Sequence, residues 1–433
     1  MAMDGKELVE KLAKLSQVQS IKDIPQLTHA LFPGTHCPLM GAAMAVGGIK
    51  DSLIVVVGTD ECTYYTKSMT IHSEKFGGIG GRCVSVVLDD HDVTFGSAEK
   101  VQEAFKEIIE EYRPQCVFLV TTCVIEIIGD DFDAISEGLS ELYGIPVLPV
   151  HTEHFKCEDH LPGLERTITV CAEMMKSCDC ENSVNLLGQR MGDFATTELY
   201  AMLQKAGVKI GLQLPCGCSV DDIKNAAAAK VNIVVNDIAL PLAQKMQEKF
   251  GIPYVYFNKF VIPEKIYEAY KNLFGYLELE LPEELEGLYQ NAREKIEKNK
   301  GELEGITYIY GNTPYAVFEM NCFLSSLGMV PQVIQTNRYT EADEPYAKEI
   351  LQYTDPYVCK AANIAPLQYV YDVLSPYLYL GHEFGNRLRQ KGIAIVHSDR
   401  ASGMLGFEVT GYLLQQLVKS VREAKEYRKE LGL

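Results

Sequence analysis

The sequence has few basic residues and no long apolar run, and these two deficits exclude whole classes of function. Lys and Arg number 40 against 59 Asp and Glu, which gives a formal net charge of -19. A protein that binds nucleic acid or anionic lipid needs a basic surface to neutralise phosphate, so neither partner is expected. The longest apolar runs, SLIVVVG and VNIVV, fall far short of the ~20 residues that span a bilayer, so no membrane segment is expected either.

Two sequence signals are also missing, and they bear on location and on ATP. The N-terminal pattern is that of a charged, amphipathic helix without the apolar core of a secretion signal, which predicts a cytoplasmic protein. No G-x-x-x-x-G-K-[ST] motif occurs, so the chain is not expected to hydrolyse ATP as a P-loop protein.

Cysteine, by contrast, is abundant, with 13 residues in the chain. Disulfides are disfavoured in the cytoplasm. The cysteines are therefore expected to be buried thiols or ligands of metals and clusters.

Short apolar, β-branched runs alternate with helical patterns along the chain and fall into three groups of four. Continuous apolar strands separated by helices are typical of βαβ units with parallel sheets covered on both faces. The sequence therefore predicts an α/β fold with three Rossmann-like domains and mainly parallel sheets. The predicted strands are 52–58, 82–89, 115–122 and 145–150, then 183–188, 208–215, 231–237 and 253–257, and last 306–312, 329–336, 376–381 and 392–399.

Two polar segments, KSCDCENS and AREKIEKNKGELEG, indicate the domain boundaries. They predict a first domain at 1–180, which contains the N-terminal helix. A second domain follows at 181–300, and a third, with the C-terminal helix, at 301–433.

Three cysteines of the first domain stand close to predicted strand ends or helix starts, where ligands bind in parallel sheets. Cys62 follows the strand at 52–58, Cys123 closes the strand at 115–122, and Cys37 precedes a helix of small residues. Helix N-termini stabilise thiolates and favour cluster binding. The spacings, however, match no zinc ribbon or ferredoxin motif. The residues alone leave two readings open, a metal cluster site or three buried small apolar side chains, and they favour the second.

Four sequence motifs, which occur in a fixed order, favour the metal cluster site instead. The segment CPLMGAAMAVGGIKDSLIVVVGTDECTYY is followed by VVLDDHDVTFGSAEK, VTTCVIEIIGDDFDAI and GIPVLPVHTEHF. In these motifs the sequence resembles the nitrogenase component 1 family, which includes the nitrogenase molybdenum–iron protein, its cofactor-assembly scaffold and the light-independent protochlorophyllide reductase. The later segments AKVNIVVNDIALPLAQKMQEKFGIPYVYFN and HSDRASGMLGFE resemble the family's middle domain and its H-S-x-D-x-x-G turn.

The resemblance implies a function for the three cysteines. Three α/β domains would surround a central cleft, and Cys37, Cys62 and Cys123 would bind an iron–sulfur cluster shared with a partner subunit, either related or identical. The cluster would be a 4Fe–4S centre with a fourth ligand elsewhere, or half of a larger shared cluster. An ATP-dependent iron–sulfur reductase would dock there and deliver electrons.

A second site is indicated in the cleft, with one departure from the family. Asn236 occupies the position where the cofactor-bearing nitrogenase subunit has a Cys, whereas His397 corresponds to its cofactor His. Cys216 and Cys218 follow a strand and are candidate substitute ligands, or else a tight turn of two buried residues. His382 and His397 follow strands of the third domain. They would ligate a metal or donate a proton to a reduced substrate, or serve a structural purpose.

Three functions follow from these observations. The first is the catalytic component of a nitrogenase-like two-component reductase, which relays low-potential electrons through the cysteine-bound cluster to a substrate or a second metal centre. The second is a scaffold for assembly of a nitrogenase-type cofactor, which the missing Cys at Asn236 fits. The third is a metal-free dinucleotide-binding or structural paralogue with inert thiols.

Overall fold

A computed structural model of the chain confirms the α/β class. The structure describes residues 4–29, 36–71, 79, 81–157, 159–179, 182–190, 192–311, 313, 315–361 and 364–433. Asn312, at the end of a predicted strand, lies outside the described residues, as does the predicted boundary at 180 and 181 with its Cys180.

The first part of the chain builds a four-stranded parallel sheet in the order β4-β3-β5-β6. Helices cover both faces, so β3 and β5 are buried along their whole length and are mostly apolar. The elements are α1 (Gly5–Glu10), β1 (Ala13–Lys14), α2 (Pro38–Gly47), β2 (Ile49–Lys50), β3 (Ser52–Gly58), α3 (Asp60–Ile71), β4 (Cys83–Val87), α4 (Asp90–Phe95), α5 (Ala98–Tyr112), β5 (Cys116–Thr121), α6 (Cys123–Ile128), α7 (Phe132–Tyr143), β6 (Val147–Val150) and α8 (Leu161–Val170).

The second part builds another four-stranded parallel sheet, in the order β11-β10-β7-β8. One hydrophobic core is continuous between this sheet and the first, because α2 and α8 are buried between them. The elements are β7 (Ser183–Gln189), α9 (Glu198–Lys205), β8 (Lys209–Pro215), β9 (Cys218–Ser219), α10 (Val220–Lys224), β10 (Val231–Val234), α11 (Leu240–Phe250), β11 (Tyr254–Tyr256), α12 (Pro263–Leu277) and α13 (Leu285–Leu303).

The third part builds a six-stranded sheet in the order β1-β14-β13-β12-β15-β16. Among the described strands, β1 alone pairs in the antiparallel sense, with Ala13 opposite Val358. The elements are β12 (Thr307–Tyr310), α14 (Val317–Ser326), β13 (Val330–Gln335), α15 (Glu344–Ile350), β14 (Tyr357–Cys359), α16 (Ile364–Leu374), β15 (Leu378–Leu380), α17 (Gly385–Arg389), β16 (Ala394–Val396) and α18 (Phe407–Leu431).

The N-terminal segment belongs by its contacts to the third sheet, although the sequence prediction grouped it with the first domain. Helix α1 packs against α16, and Leu8, Leu12 and Leu27 join the core beside Tyr371. The backbone of β1 also occupies the free edge of β14. Apolar burial and edge pairing together fix the segment on this sheet.

The second and third sheets meet at the ends of their strands. Gly192, which follows β7, touches the turn after β16 so closely that a Cβ on it would lie 2.7 Å from the Cα of Gly403. A Gln189 side-chain amide N–H donates to the carbonyl of Gly403 at 3.4 Å. Ligand sites in parallel sheets lie at such carboxyl ends. Within the described part of the chain, no helix combines the length and the apolar character needed to cross a bilayer.

Candidate functional site

The three predicted cluster cysteines all lie at the side of the first sheet where its parallel strands have their carboxyl ends. Cys62 is in the first turn of α3, which follows β3, and Cys123 is the first residue of α6, which follows β5. Cys37 is the residue that caps the N-terminus of α2, and α2 packs against α3, β3 and β5. Because β3 and β5 are neighbouring parallel strands, the structure brings these thiols to the same edge.

A glycine allows the turns that carry Cys62 and Cys123 to approach each other. Gly58 ends β3 with φ of +156°, and a Cβ on it would lie 1.9 Å from Oγ1 of Thr122. That hydroxyl donates to the carbonyl of Val57 at 2.9 Å. Any larger residue at 58 would push the two turns apart.

The three thiols are half-buried and interact electrostatically. The pKa of Cys123 is raised by burial and then by the negative charges of Cys62 and Cys37, whereas the helix backbone opposes the rise. The Sγ of Cys123 lies 3.4 Å from Nδ1 of His154, and the hydroxyl of Thr59 donates to Sγ of Cys62 at 3.5 Å. Negative charge on all three sulfurs together would be unfavourable without a positive counter-charge, which a bound metal group would supply.

The loop after β6, which carries His154, is held by a residue that the sequence analysis did not assign to the site. Arg166, on α8, donates to the carbonyls of His151 and Thr152 at 3.0 and 2.9 Å and pairs with Glu153 at 2.7 Å. For His154 the sequence contained only a weak signal, because this residue lies beyond a strand end but matches no ligand spacing. Arg166 is found only through the tertiary packing of α8 on this loop.

The donor set consists of three thiols, which is the ligand type of iron–sulfur clusters. Within the described ranges, no three His, Cys, Asp or Glu side chains are grouped tightly enough to hold one metal ion. Iron–sulfur clusters are held by thiolates on several irons that sulfide bridges, so their ligand sulfurs stand further apart. Cys37, Cys62 and Cys123, at three separate helix starts, offer thiols of the chemistry that such a group would need.

The structure places Cys216 and Cys218 in different surroundings. Cys216 is half-buried after β8, and its thiol donates to the carbonyl of Arg190 at 3.1 Å. Cys218 is in the core shared by the first two sheets, where burial raises the pKa of its thiol to about 12. Asn236, after β10, caps the next turn by accepting from the N–H of Ile238 at 3.2 Å.

The two candidate histidines of the third domain share a small depression of about 120 Å³ at the ends of β15 and β16. Nε2 of His382 lies 3.3 Å from Oδ1 of Asp399, and both side chains are largely exposed. His397 is also exposed on this depression. The structure thus brings His382 and His397 together, in an open and solvated setting.

Ionisable side chains that the sequence analysis missed lie buried or half-buried where the domains meet. The carboxyl of Glu319, on α14, accepts from the N–H of Val261, and burial raises its pKa to about 7. Asp237 accepts from the hydroxyl of Tyr256 and from Asn258. The pKa of Lys259 is lowered to about 7 by burial and by Arg190. Tertiary packing reveals these groups, because Glu319 and Lys259 belong to no motif and the segment that contains Asp237 gives no sign of its contacts.

The chain thus folds into three Rossmann-like α/β units, and three thiols stand where strands of the first sheet end and helices begin. The model of the family described as nitrogenase component 1 type oxidoreductase matches residues 37–422, and the chain belongs to this family. The resemblance inferred from the motifs is therefore confirmed.

Individual proteins are also similar to this chain in sequence. The nitrogenase iron-molybdenum cofactor biosynthesis protein NifE of Clostridium pasteurianum is 31% identical over 224 residues, which is 51% of this chain and 49% of that protein. NifE of Rippkaea orientalis is 25% identical over 73% of this chain and 69% of its own length. The nitrogenase molybdenum-iron protein alpha chain of Methanosarcina barkeri is 24% identical over 72% of this chain and 62% of its own. The alignments thus span about half to two thirds of the relatives.

A solved structure shares the fold. The structure titled "Nitrogenase Cp1 at pH 6.5" superposes with a TM-score of 0.79 over 93% of this chain and 95% of its own, at 15% sequence identity. At that identity the likeness establishes the arrangement of the domains, and the chemistry is argued from this chain's own residues.

Proposed function

We propose that the chain is the electron-relaying catalytic component of a nitrogenase-like two-component reductase, with Cys37, Cys62 and Cys123 as ligands of an iron–sulfur cluster. The observation that carries the proposal is the convergence of three thiols from separate helix starts on one sheet edge, where two of them raise the pKa of the third. Membership in an oxidoreductase family supports it.

The residues around the thiols suit a redox site. A bound cluster would supply low-potential electrons one at a time, and it would be a 4Fe–4S centre or part of a larger cluster shared between subunits. The backbone N–H of Cys123, at the start of α6, and the hydroxyl of Thr59, which donates to Cys62, would stabilise negative charge on these sulfurs. His154, 3.4 Å from Cys123, is placed to hydrogen-bond the same sulfur.

Exposed apolar side chains near the thiols support a protein partner at this edge. Tyr65 beside Cys62, Ile127 beside Cys123 and Phe155 beside His154 are 68%, 70% and 68% exposed. Such clustered apolar exposure is typical of interaction surfaces. We propose that a related or identical subunit and an ATP-dependent iron–sulfur reductase dock here, in the cytoplasm. Y65E is expected to weaken assembly, whereas Y276E, at an exposed tyrosine of α12, is expected to leave it unchanged.

The cleft residues are proposed as the second site of the reductase. His397 and Cys216 would hold a second metal cofactor with Cys218, while His382 and His397 would deliver protons to the substrate. What supports this is that His382 and His397 share one depression and that Cys216 lies at a strand end. Cys218 would have to leave its buried position to bind, which makes it the weakest member of the set.

An assembly scaffold is the second candidate. The relatives of the chain include several cofactor biosynthesis proteins NifE, and Asn236 offers a carboxamide where the resemblance places a thiolate. A carboxamide is a poor ligand for iron, so a cofactor would be held weakly and released. A scaffold would keep the cluster cysteines and lack steady turnover.

The deciding experiment is anaerobic purification with iron and sulfide analysis of C62A, C123A and the control C178A. Both site variants are expected to lose iron and visible absorbance, and C178A, at an exposed cysteine, to keep them. Unchanged iron in C62A and C123A would contradict the cluster assignment. Adding a matching reductase and ATP then separates the two candidates, because an enzyme cycles and a scaffold transfers its cofactor without cycling.

A further inference from the structure

The loop after β6 directs a histidine at the thiol of Cys123. Nδ1 of His154 lies 3.4 Å from Sγ of Cys123, at the side of the first sheet where the other two cluster cysteines also lie. The side chain of His154 is exposed, so its ring is free to turn from the sulfur towards a metal beside it. Imidazole is a ligand of iron–sulfur clusters, as in the Rieske centres, where it replaces thiolate.

An unusual backbone conformation gives the histidine this direction. Glu153, immediately before His154, has φ of +43° and ψ of +47°, a left-handed conformation that a residue with a Cβ seldom adopts. Such a conformation persists only where its surroundings hold it, and it is frequent at functional sites. Here Arg166 holds it, through a 2.7 Å ion pair with the carboxylate of Glu153 and through hydrogen bonds to two carbonyls of the same loop.

The loop is also bonded to the segment that carries Cys123. The N–H of Glu153 donates to Oε1 of Glu126, on α6, at 3.4 Å. The N–H of Thr152 donates to Oγ1 of Thr121, at the end of β5, at 3.0 Å. Because Cys123 lies between these two acceptors in the chain, backbone bonds fix the position of the loop relative to its thiol.

The other histidine of this loop has different surroundings. Nδ1 of His151 lies 3.7 Å from the carboxylate of Glu126, and its Nε2 lies 3.4 Å from the carboxylate of Asp133. The ring of His151 therefore lies between carboxylates of α6 and α7, whereas the ring of His154 faces sulfur. This contrast identifies His154 as the imidazole that accompanies the thiols.

We propose that His154 is the fourth ligand of the cluster proposed at Cys37, Cys62 and Cys123, on which this inference rests. The chain would then supply three thiolates and one imidazole, and a partner subunit would need to contribute no ligand. The neutral ring would bind iron through the lone pair of Nδ1 and keep its proton on Nε2. No electron or proton is transferred when it binds.

The test is pulsed electron paramagnetic resonance of the anaerobically purified, dithionite-reduced protein, with and without isotopic nitrogen labelling of its histidines. The wild type is expected to show the nitrogen coupling of an imidazole bound to iron, and H154A and H154C are expected to lose it. H151Q, on the same loop, is the matched control and is expected to keep it. Because a thiolate adds negative charge, H154C is also expected to lower the reduction potential of the cluster at unchanged iron content.

The outcomes separate this ligand from the proposed function. Normal iron content in the wild type without a coupled histidine nitrogen overturns the ligand and leaves the cluster assignment standing. A coupling that persists in H154A, or that H151Q loses equally, also overturns it. So does a coupling as weak as that of a hydrogen bond from imidazole to sulfur. A wild type without iron contradicts the proposed function and this ligand together.

Discussion

The carboxylate of Glu198, the first residue of α9, accepts a 3.0 Å hydrogen bond from the N–H of Phe407, the first residue of α18. In return, the N–H of Glu198 donates to Oε1 of Glu408 at 3.1 Å. Each helix thus begins on a carboxylate supplied by the other domain. Because helix N-termini favour negative charge, the exchange joins the second and third domains.

This junction predicts a pH-dependent stability. The pKa of Glu198 is raised to about 6, chiefly by burial, from an ordinary 4.5. The folded form therefore binds the proton more tightly, so the contribution is complete below pH ~4.5 and is lost as the pH rises through ~6. Relative to E198Q, the wild type is expected to lose about 2 kcal/mol of unfolding free energy across this window. Urea unfolding of both proteins measures it.

The control for Glu198 is E297Q, which alters an exposed glutamate of α13. Its stability is expected to follow the pH profile of the wild type. An E198Q profile parallel to that of the wild type would show that Glu198 does not titrate in this window.

Replacing Gly58 tests the approach of the two cysteine-bearing turns. G58A places a Cβ against the hydroxyl of Thr122, and overpacking of this kind costs about 1–3 kcal/mol. G58A is expected to lower both unfolding free energy and iron content. In G138A, on α7, the new Cβ meets no atom within 4 Å, and the change is expected to stabilise by about 0.5–1 kcal/mol. Full iron content in G58A would contradict the proposed geometry.

Arg166 is expected to contribute to folding stability and to the surroundings of Cys123, because it holds the loop after β6. R166Q removes bonds to the carbonyls of His151 and Thr152, which should cost about 1–3 kcal/mol in chemical unfolding. It should also alter the electron paramagnetic resonance signal of the bound cluster, because His154 shifts against Cys123. K156Q breaks only an exposed pair with Glu153 and is expected to change neither quantity. Equal effects of the two changes would argue against this role.

Cys216 and Cys218 should differ in their effect on stability. C218S buries a hydroxyl in an apolar core and is expected to cost about 1–3 kcal/mol, whereas the hydroxyl in C216S can still donate to Arg190. Both changes are expected to alter a second metal signal and to spare the first. Metal analysis with thermal unfolding measures this, and equal loss of both signals would indicate a folding defect instead.

The sequence predicted the fold where the information is local. Strands such as β3 and β5 are continuous apolar runs, and the helices between them repeat at helical spacing, so class and order follow from pattern alone. Strand β14 was missed because its three residues stand between polar neighbours, whereas the equally short β11, β15 and β16 stand within longer apolar runs. The attachment of β1 was missed because its pairing partner, Val358, is far along the chain and no local pattern encodes that contact.

The residues of the candidate sites were likewise predicted only where a local motif contains them. Cys37, Cys62 and Cys123 were found because each stands in a motif at a helix start. Glu319 and Lys259 were not, since both are ordinary surface residue types that become unusual only when another domain covers them. The sequence also grouped Cys216 with Cys218, whereas the turn at Gly217, with φ of +87°, leaves the two thiols in different environments.

The pairing of β1 with β14 has a practical consequence for anyone who divides the protein. A fragment that starts after residue 29 would leave the outer backbone groups of β14 bare, together with the apolar surface that Leu8 and Leu12 cover. An exposed edge strand with unpaired backbone groups pairs readily with strands of other molecules. Such a truncated protein is expected to self-associate, so every expression clone should keep the segment that contains α1 and β1.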